Sequence, residues 1–242
     1  MKNNKNFLSQ VAIFAHLDHA EMESVAQTFK ERRYKREEII FVEEDRDPCM
    51  YVVKEGRVKV SRILPNGREA ILSFHEAGEY FGEMSLIDGE AASVTATAIV
   101  PTTALLINHR DFSLLLENPQ VNRVLLKVMC ERCRDAWAQI SVLTFHHANA
   151  RIRAALDHLG QKRGIKTNRG TRINLHLTHR ELAEMAGMSR ETATRVLGQL
   201  QGQQVLAVDE GHFLISDPGR LVEPLLFGRA NSSNPLSACD SR

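Results

Sequence analysis

The chain has 242 residues, 43% of them hydrophobic and 25% charged, the proportions of a globular protein of one or two domains. No run of 18 apolar residues offers a membrane span, residues 1–10 carry Lys and Asn instead of an apolar signal core, and four cysteines (Cys49, Cys130, Cys133, Cys239) are too few for a disulfide framework, so the expectation is a cytoplasmic protein with no membrane contact. The net charge of +1 hides a split: residues 1–150 hold 18 basic against 21 acidic side chains, residues 151–242 hold 13 against 9, and within 151–195 the count is 10 against 4. The back half is therefore suited to meet a polyanion.

Residues 1–20 read as a short helical lead with Phe7, Leu8, Val11, Phe14 and Leu17 apolar, and 19–29 as a second short helix. From Arg32 the pattern changes to short strands, at 39–42, 50–53, 58–61, 70–74, 94–97 and 104–107. Glu55-Gly56, Pro65-Asn66-Gly67, Ala77-Gly78 and Asp88-Gly89 supply the turns between them. Many short strands at this spacing imply an antiparallel sandwich or barrel. Asn118-Pro119 then starts a helix, and no further Pro or Gly interrupts it before Phe145. Its apolar side chains (Leu126, Met129/Cys130, Cys133, Ala136/Trp137, Ile140, Leu143) recur about every 3.5 residues, as in a coiled-coil seam. Such a row can pack on the chain's own β unit or on a second copy. A helix this long after a compact β domain has surface to spare, which favours the dimer. Next come a helix at 150–159, a basic Gly-containing loop at 161–172 and a strand at 173–177. The tail from Gly228 onward has the composition of a disordered segment.

The segment 178–206 is the most informative. Thr178 and Glu181 fit a capping box, and Leu182, Met185 and Ala186 give a two-turn helix its apolar face. Gly187 breaks that helix and Ser189 caps the next. There Ala193, Val196, Leu197 and Leu200 form one buried face, with Arg190, Glu191, Thr194 and Arg195 opposite. Two short helices, a Gly turn and a polar second helix are the pattern of a helix-turn-helix, whose second helix reads DNA. Arg bonds guanine O6 and N7 with two donors, and Glu accepts from cytosine N4–H. A solvated Glu191–Arg195 pair is the alternative for that face. Residues 205–208 and 212–215 flank Asp209-Glu210-Gly211 and predict a hairpin wing.

At these residues the chain resembles the Crp/Fnr family of bacterial transcription regulators. The resemblance spans about residues 10–220. Its motifs are the stretch Tyr80 to Gly89 (YFGEMSLIDG) and the stretch Leu177 to Arg195 (LTHRELAEMAGMSRETATR). It implies an α+β protein with a β-roll (jelly-roll) effector domain at 1–117, a dimerisation helix and hinge at 118–147, a winged helix-turn-helix at 148–227 and a tail at 228–242. In Crp-like members an Arg-Glu-x-x-x-Arg set reads a TGTGA-type half-site. Here that set is Arg190, Glu191 and Arg195, whereas the Fnr-like branch usually lacks the first Arg. The matching phosphate contacts are Thr178, His179, Arg180 and Ser189. The expected partners are double-stranded DNA with a palindromic operator, a second copy of the chain and RNA polymerase. No enzyme constellation (Ser/His/Asp, metal triad or P-loop) stands out.

The resemblance also defines a candidate effector pocket: Gly82, Glu83, Ser93, Arg132 and Trp137. Cyclic-AMP binders place Arg before the Ser, and this chain has Ala92. Their purine-facing polar residues are replaced by Ala136 and Trp137, and Trp137 can fill the purine's volume. Cyclic AMP is therefore expected to bind weakly or not at all, although a cyclic nucleotide of some kind stays open. Glu83 is then either a ligand group or a carboxylate satisfied by local amides. No cysteine cluster precedes Cys49, and the haem-ligand positions hold Gly82 and Met84, so neither an iron–sulfur cluster nor haem is expected. Cys130 and Cys133 form a C-x-x-C, the basis of an alternative reading as a redox or small-molecule sensor with protein-contact output. Packing in an interface is the other role for these thiols. His146-His147 reads as a hinge or exposed pair, not a metal site.

Overall fold

The computed structural model describes residues 2–227, and they fall into two compact units that divide after Arg134, inside the long helix. The tail from Gly228, including Cys239, lies outside the described residues.

In the first unit α1 (Lys2–Leu8), a 3-10 turn (Ala12–Phe14) and α2 (His19–Thr28) precede the strands. Asp18 caps α2 through a capping box with Glu21. The strands are β1 (Lys30–Tyr34), β2 (Glu38–Phe41), β3 (Cys49–Glu55), β4 (Arg57–Ile63), β5 (Glu69–Glu76), β6 (Tyr80–Phe81), β7 (Thr95–Ala98) and β8 (Thr102–Asn108). Helix α3 (Met84–Asp88) follows β6, and α4 (His109–Leu115) follows β8. Two four-stranded antiparallel sheets form, in the orders β1-β8-β3-β6 and β2-β7-β4-β5, and together they make the β-roll.

Strand parity explains the packing. Successive side chains of a strand point to opposite faces. In β3, Tyr51 and Val53 turn into the roll, where they meet Val58, Phe81, Ala96 and Ala104. Met50 and Val52 turn outward, to a second core under the helices with Leu8, Phe14, Leu105, Ile107 and Phe112. A strand buried on both faces reads as a continuous apolar run, as Met50 to Val53 does. The first turns of α5 (Pro119–Thr144) close this second core with Val121 and Leu125.

The second unit contains the rest of α5, α6 (Ala148–Arg163), β9 (Gly164–Thr167), β10 (Gly170–Ile173), α7 (His179–Met185), α8 (Arg190–Gly202), β11 (Leu206–Asp209), β12 (His212–Ile215) and α9 (Pro218–Phe227). Its sheet order is β11-β12-β10-β9, antiparallel throughout. Arg153 on α6 is a buried tie. Its guanidinium donates to the carbonyls of Arg220 at 2.8 Å and Leu221 at 3.2 Å, to Gln203 Oε1 at 3.1 Å and to Asn149 Oδ1 at 2.6 Å.

The structure corrects the sequence reading at several places. The stretch 161–172 is not a loop: it is the end of α6 and the β9–β10 hairpin, and β10 stops at Ile173 instead of running over 173–177. Every residue of β9 is exposed, so no apolar alternation marked it. Strand β1 escaped for the same reason, since only Tyr34 of its five residues is buried. The two-residue β6 and the helices α3, α4 and α9 were likewise unread.

Candidate nucleic-acid interface

Helix α7 begins as the sequence predicts. Thr178 Oγ1 accepts from the Glu181 amide at 3.1 Å, and Glu181 Oε2 accepts from the Thr178 amide at 2.7 Å. It ends in a Schellman turn: the Met188 amide donates to Ala183 O at 2.9 Å and the Gly187 amide to Glu184 O at 3.4 Å. Gly187 has φ +64°, in the left-handed region that side-chain-bearing residues avoid. Ser189 then starts α8 by accepting from the Thr192 amide at 3.2 Å.

Ala193, Val196, Leu197 and Leu200 are all buried on one side of α8. Burying the three larger ones contributes about 1.5–3 kcal/mol each. That outweighs the roughly 1 kcal/mol cost of each helical glycine, Gly198 and Gly202. Arg190, Glu191, Thr194 and Arg195 are exposed on the other side, so all three predicted base-reading side chains share one open face. Neither Arg190 nor Arg195 has an ion-pair partner among the described residues; the solvated Glu191–Arg195 pair does not form, and the helical pair beside it is Arg180–Glu184. The Glu191 carboxyl is held below its ordinary range by its own amide at the helix start and by Ser189.

The four predicted phosphate-contact residues gather at the starts of these two helices. Thr178 and Ser189 serve as caps. Arg180 Nε donates to Glu184 Oε1 at 2.8 Å. His179 also makes contacts beyond its own helix: its Nδ1 lies 3.1 Å from Thr194 Oγ1, and its ring stacks on Phe213 of β12 at 6.1 Å. It thereby joins α7, α8 and the wing, a link that no local pattern encodes. The wing turns at Glu210 (φ +49°) and Gly211 (φ +78°), and Asp209 pairs with Arg169 from the β9–β10 turn.

The effector cassette is built differently. Gly82 (φ +85°) passes so close to the Cys49 carbonyl that a Cβ there would strike it. This turn delivers Glu83 to a fully buried position at the head of α3. Glu83 Oε1 lies 2.5 Å from Nη1 of Arg132 on α5. Arg132 Nη2 donates to the Tyr80 carbonyl at 2.8 Å, with its guanidinium 5.7 Å from the Tyr80 ring centre. The ion pair is close, but neither Glu83 oxygen has a well-aligned hydrogen-bond partner. Burial pushes the Glu83 carboxyl up from its ordinary value, and Arg132 pulls it only part of the way back. Its own backbone amide adds a smaller downward pull.

Of the five predicted pocket residues, Gly82, Glu83 and Arg132 come together. Ser93 is exposed in a bend, and Trp137 belongs to the second unit, where it is 67% exposed. Ala92 is engaged by its backbone: its amide donates to Asp45 O at 3.0 Å and its carbonyl accepts from the Glu44 amide at 2.6 Å. The cassette thus holds one fully buried carboxylate, Glu83, and no charged side chain at position 92. Cys130 and Cys133 are exposed and free, and no group of three or more His, Cys, Asp or Glu among the described residues could hold a metal ion.

The family pattern described as cyclic nucleotide-binding domain matches residues 31–118, and that of the Crp-like helix-turn-helix domain matches 150–223. The cyclic AMP receptor protein of Thermus thermophilus is 31% identical over 219 residues, which is 90% of this chain and 98% of the relative. The CRP-like cAMP-activated global transcriptional regulator of Mycobacterium tuberculosis is 26% identical over 215 residues, 88% of this chain and 96% of that one. A solved structure of a CooA mutant from Carboxydothermus hydrogenoformans superposes with a TM-score of 0.71 at 25% identity, covering 81% of this chain and 88% of the other. No helix among the described residues is long and apolar enough to cross a membrane. With both domain patterns in the order read from the sequence, and a relative above 30% identity along nearly its whole length, the chain belongs to the Crp/Fnr family of DNA-binding transcription regulators.

Proposed function

We propose that the protein acts as a homodimer on a two-fold symmetric operator of TGTGA-type half-sites, and that it does so without cyclic AMP. The observation that carries this reading is the open face of α8, where Arg190, Glu191 and Arg195 all stand exposed to solvent. Each Arg can take guanine O6 and N7, and Glu191 can accept from cytosine N4–H. Thr178, His179, Arg180 and Ser189 lie at the two helix starts, where backbone phosphates approach, and they set register without choosing sequence.

Two copies are joined through the long helix. Leu126, Cys130, Cys133, Trp137 and Ile140 are exposed on α5 at alternating spacings of four and three. Met129, also on the predicted seam, packs partly against its own core. Such a dimer places its two reading helices in successive major grooves, about 34–36 Å apart. Its output runs through RNA polymerase, as the family resemblance implies.

The ligand reading rests on position 92. A phosphate without its Arg loses a charge-assisted bond worth about 1.5–3 kcal/mol, or roughly 10- to 150-fold in affinity. Glu83 already faces Arg132 instead of a ligand hydroxyl. Relatives named for cyclic AMP make that nucleotide the first ligand to test.

Fluorescence anisotropy with a TGTGA-N6-TCACA duplex, a scrambled duplex and a duplex with one half-site tests the operator. The expected result is selective binding to the palindrome with two chains per duplex. Equal binding to all three duplexes contradicts it.

A further inference from the structure

The two cysteines of α5 have no role in DNA reading or in the cassette. Cys130 and Cys133 are exposed, free thiols. They stand in the same row as Leu126 (68% exposed), Trp137 (67%) and Ile140 (58%). The steps from 126 to 130, 133, 137 and 140 alternate four and three, so the cysteines occupy adjacent a and d positions of a heptad. Val121 and Leu125, elsewhere on the same helix, are buried in the chain's own core. The cysteine row is thus the part of the helix that intramolecular packing leaves over.

Resting on the homodimer reading above, we propose that Cys130 and Cys133 form a reversible covalent lock between two copies of the chain. In a parallel two-fold pair each seam residue meets its own counterpart. Helix axes pack about 8–10 Å apart, with Cα atoms about 2.3 Å from each axis. Facing Cα atoms therefore approach to about 3.4–5.4 Å, and the upper part of that range overlaps the roughly 4.4–6.8 Å that a disulfide spans. Within that overlap a disulfide can close without moving either backbone.

The chemistry is thiol–disulfide exchange with a low-molecular-weight disulfide as oxidant. A cysteine thiolate attacks the small disulfide, forming a mixed disulfide and releasing one small thiol. The counterpart thiolate attacks the cysteine sulfur of that mixed disulfide and releases the second. In sum, two protein thiols and one small disulfide give one interchain disulfide and two small thiols. A reducing cytosol keeps the thiols free, so the lock closes only when the thiol pool is oxidised. A closed lock keeps the dimer together on dilution, so operator occupancy then falls only with the dimer's own DNA affinity and not also through dissociation into single chains.

The test uses the full chain with Cys49→Ser and Cys239→Ser, which leaves only the two seam thiols. Its mass is measured by light scattering under reducing conditions. The protein is then incubated with oxidised glutathione and run on a non-reducing denaturing gel. The expected result is a dimer in the reduced state and a band at twice the chain mass after oxidation, reversed by dithiothreitol. Cys130→Ser or Cys133→Ser alone should leave that band, and the two together should abolish it. A reduced dimer that gives no covalent band, or only an oxidised single chain from a bond within one helix, overturns the lock and leaves the seam standing. A reduced monomer overturns both.

Discussion

The reading face of α8 and the cassette around Glu83 solve opposite problems with the same residue types. On α8 two arginines and a carboxylate stand in solvent. In the cassette one arginine and one carboxylate are drawn together, with the carboxylate wholly out of water. An exposed charge keeps its hydration until a partner displaces it, so it remains available for DNA. A buried charge has already lost its water and depends on whatever the fold supplies. The first region is prepared for an external ligand. The second has supplied an internal one.

Removing Arg132 should have the largest effect on stability. Arg132→Ala strands a buried carboxylate, and the expected loss is about 3 kcal/mol of unfolding free energy by denaturant titration, at the lower end for buried pairs because Arg132 is partly exposed. An unchanged midpoint would mean that Glu83 is satisfied without it. The protonation behaviour sharpens the point. Glu83 is raised in the folded state, so its contribution to stability is complete below the ordinary carboxylate range and is lost as pH rises through its raised value. The difference in stability between the wild type and Glu83→Gln should therefore shift against the wild type across that window. A pH-independent difference would argue against a raised carboxyl.

On the exposed side, Arg195→Ala or Arg190→Ala should weaken operator binding by about 1–3 kcal/mol and relax base preference at one position. The fold should be untouched, since neither side chain is buried. Equal weakening on every sequence would reduce them to phosphate contacts. A smaller effect is expected at the turn between the two helices. Gly187→Ala must hold an alanine at φ +64°, and a Cβ there would lie 2.9 Å from Leu143 Cδ2. The cost should be about 1–2 kcal/mol in thermal unfolding. Smallest of all, Gly198→Ala adds a Cβ with nothing within 4 Å, so it should stabilise α8 by about 0.5–1 kcal/mol. If it also weakens DNA binding, bare backbone at Gly198 is part of the reading face.

These two regions also differ in how far the sequence disclosed them. The helix-turn-helix was legible because its signals are local: Thr178 with Glu181, Gly187, Ser189 and the spacing of Ala193, Val196, Leu197 and Leu200 all fall within 23 residues. The β3 run from Met50 to Val53 was legible as a strand because both its faces are buried. The basic strands β1 and β9 were not, since edge strands dominated by exposed side chains carry no alternation. The partnership of Glu83 with Arg132 was invisible for another reason. Each was recognised as a pocket residue, but they are 49 positions apart, and only the docking of α5 on the roll decides that they meet. Trp137 shows the same limit, because its exposure depends on packing that no motif records.

In this protein the reading face is proposed to work without help from the cassette. This is tested most directly by titrating the TGTGA-N6-TCACA duplex with protein freed of nucleotide, then repeating the titration with saturating cyclic AMP. The expected result is selective binding in both, with dissociation constants that agree within a factor of about two. A tightening of tenfold or more with cyclic AMP, about 1.4 kcal/mol of coupling, would contradict it and would place a phosphate site where Ala92 leaves no counter-charge.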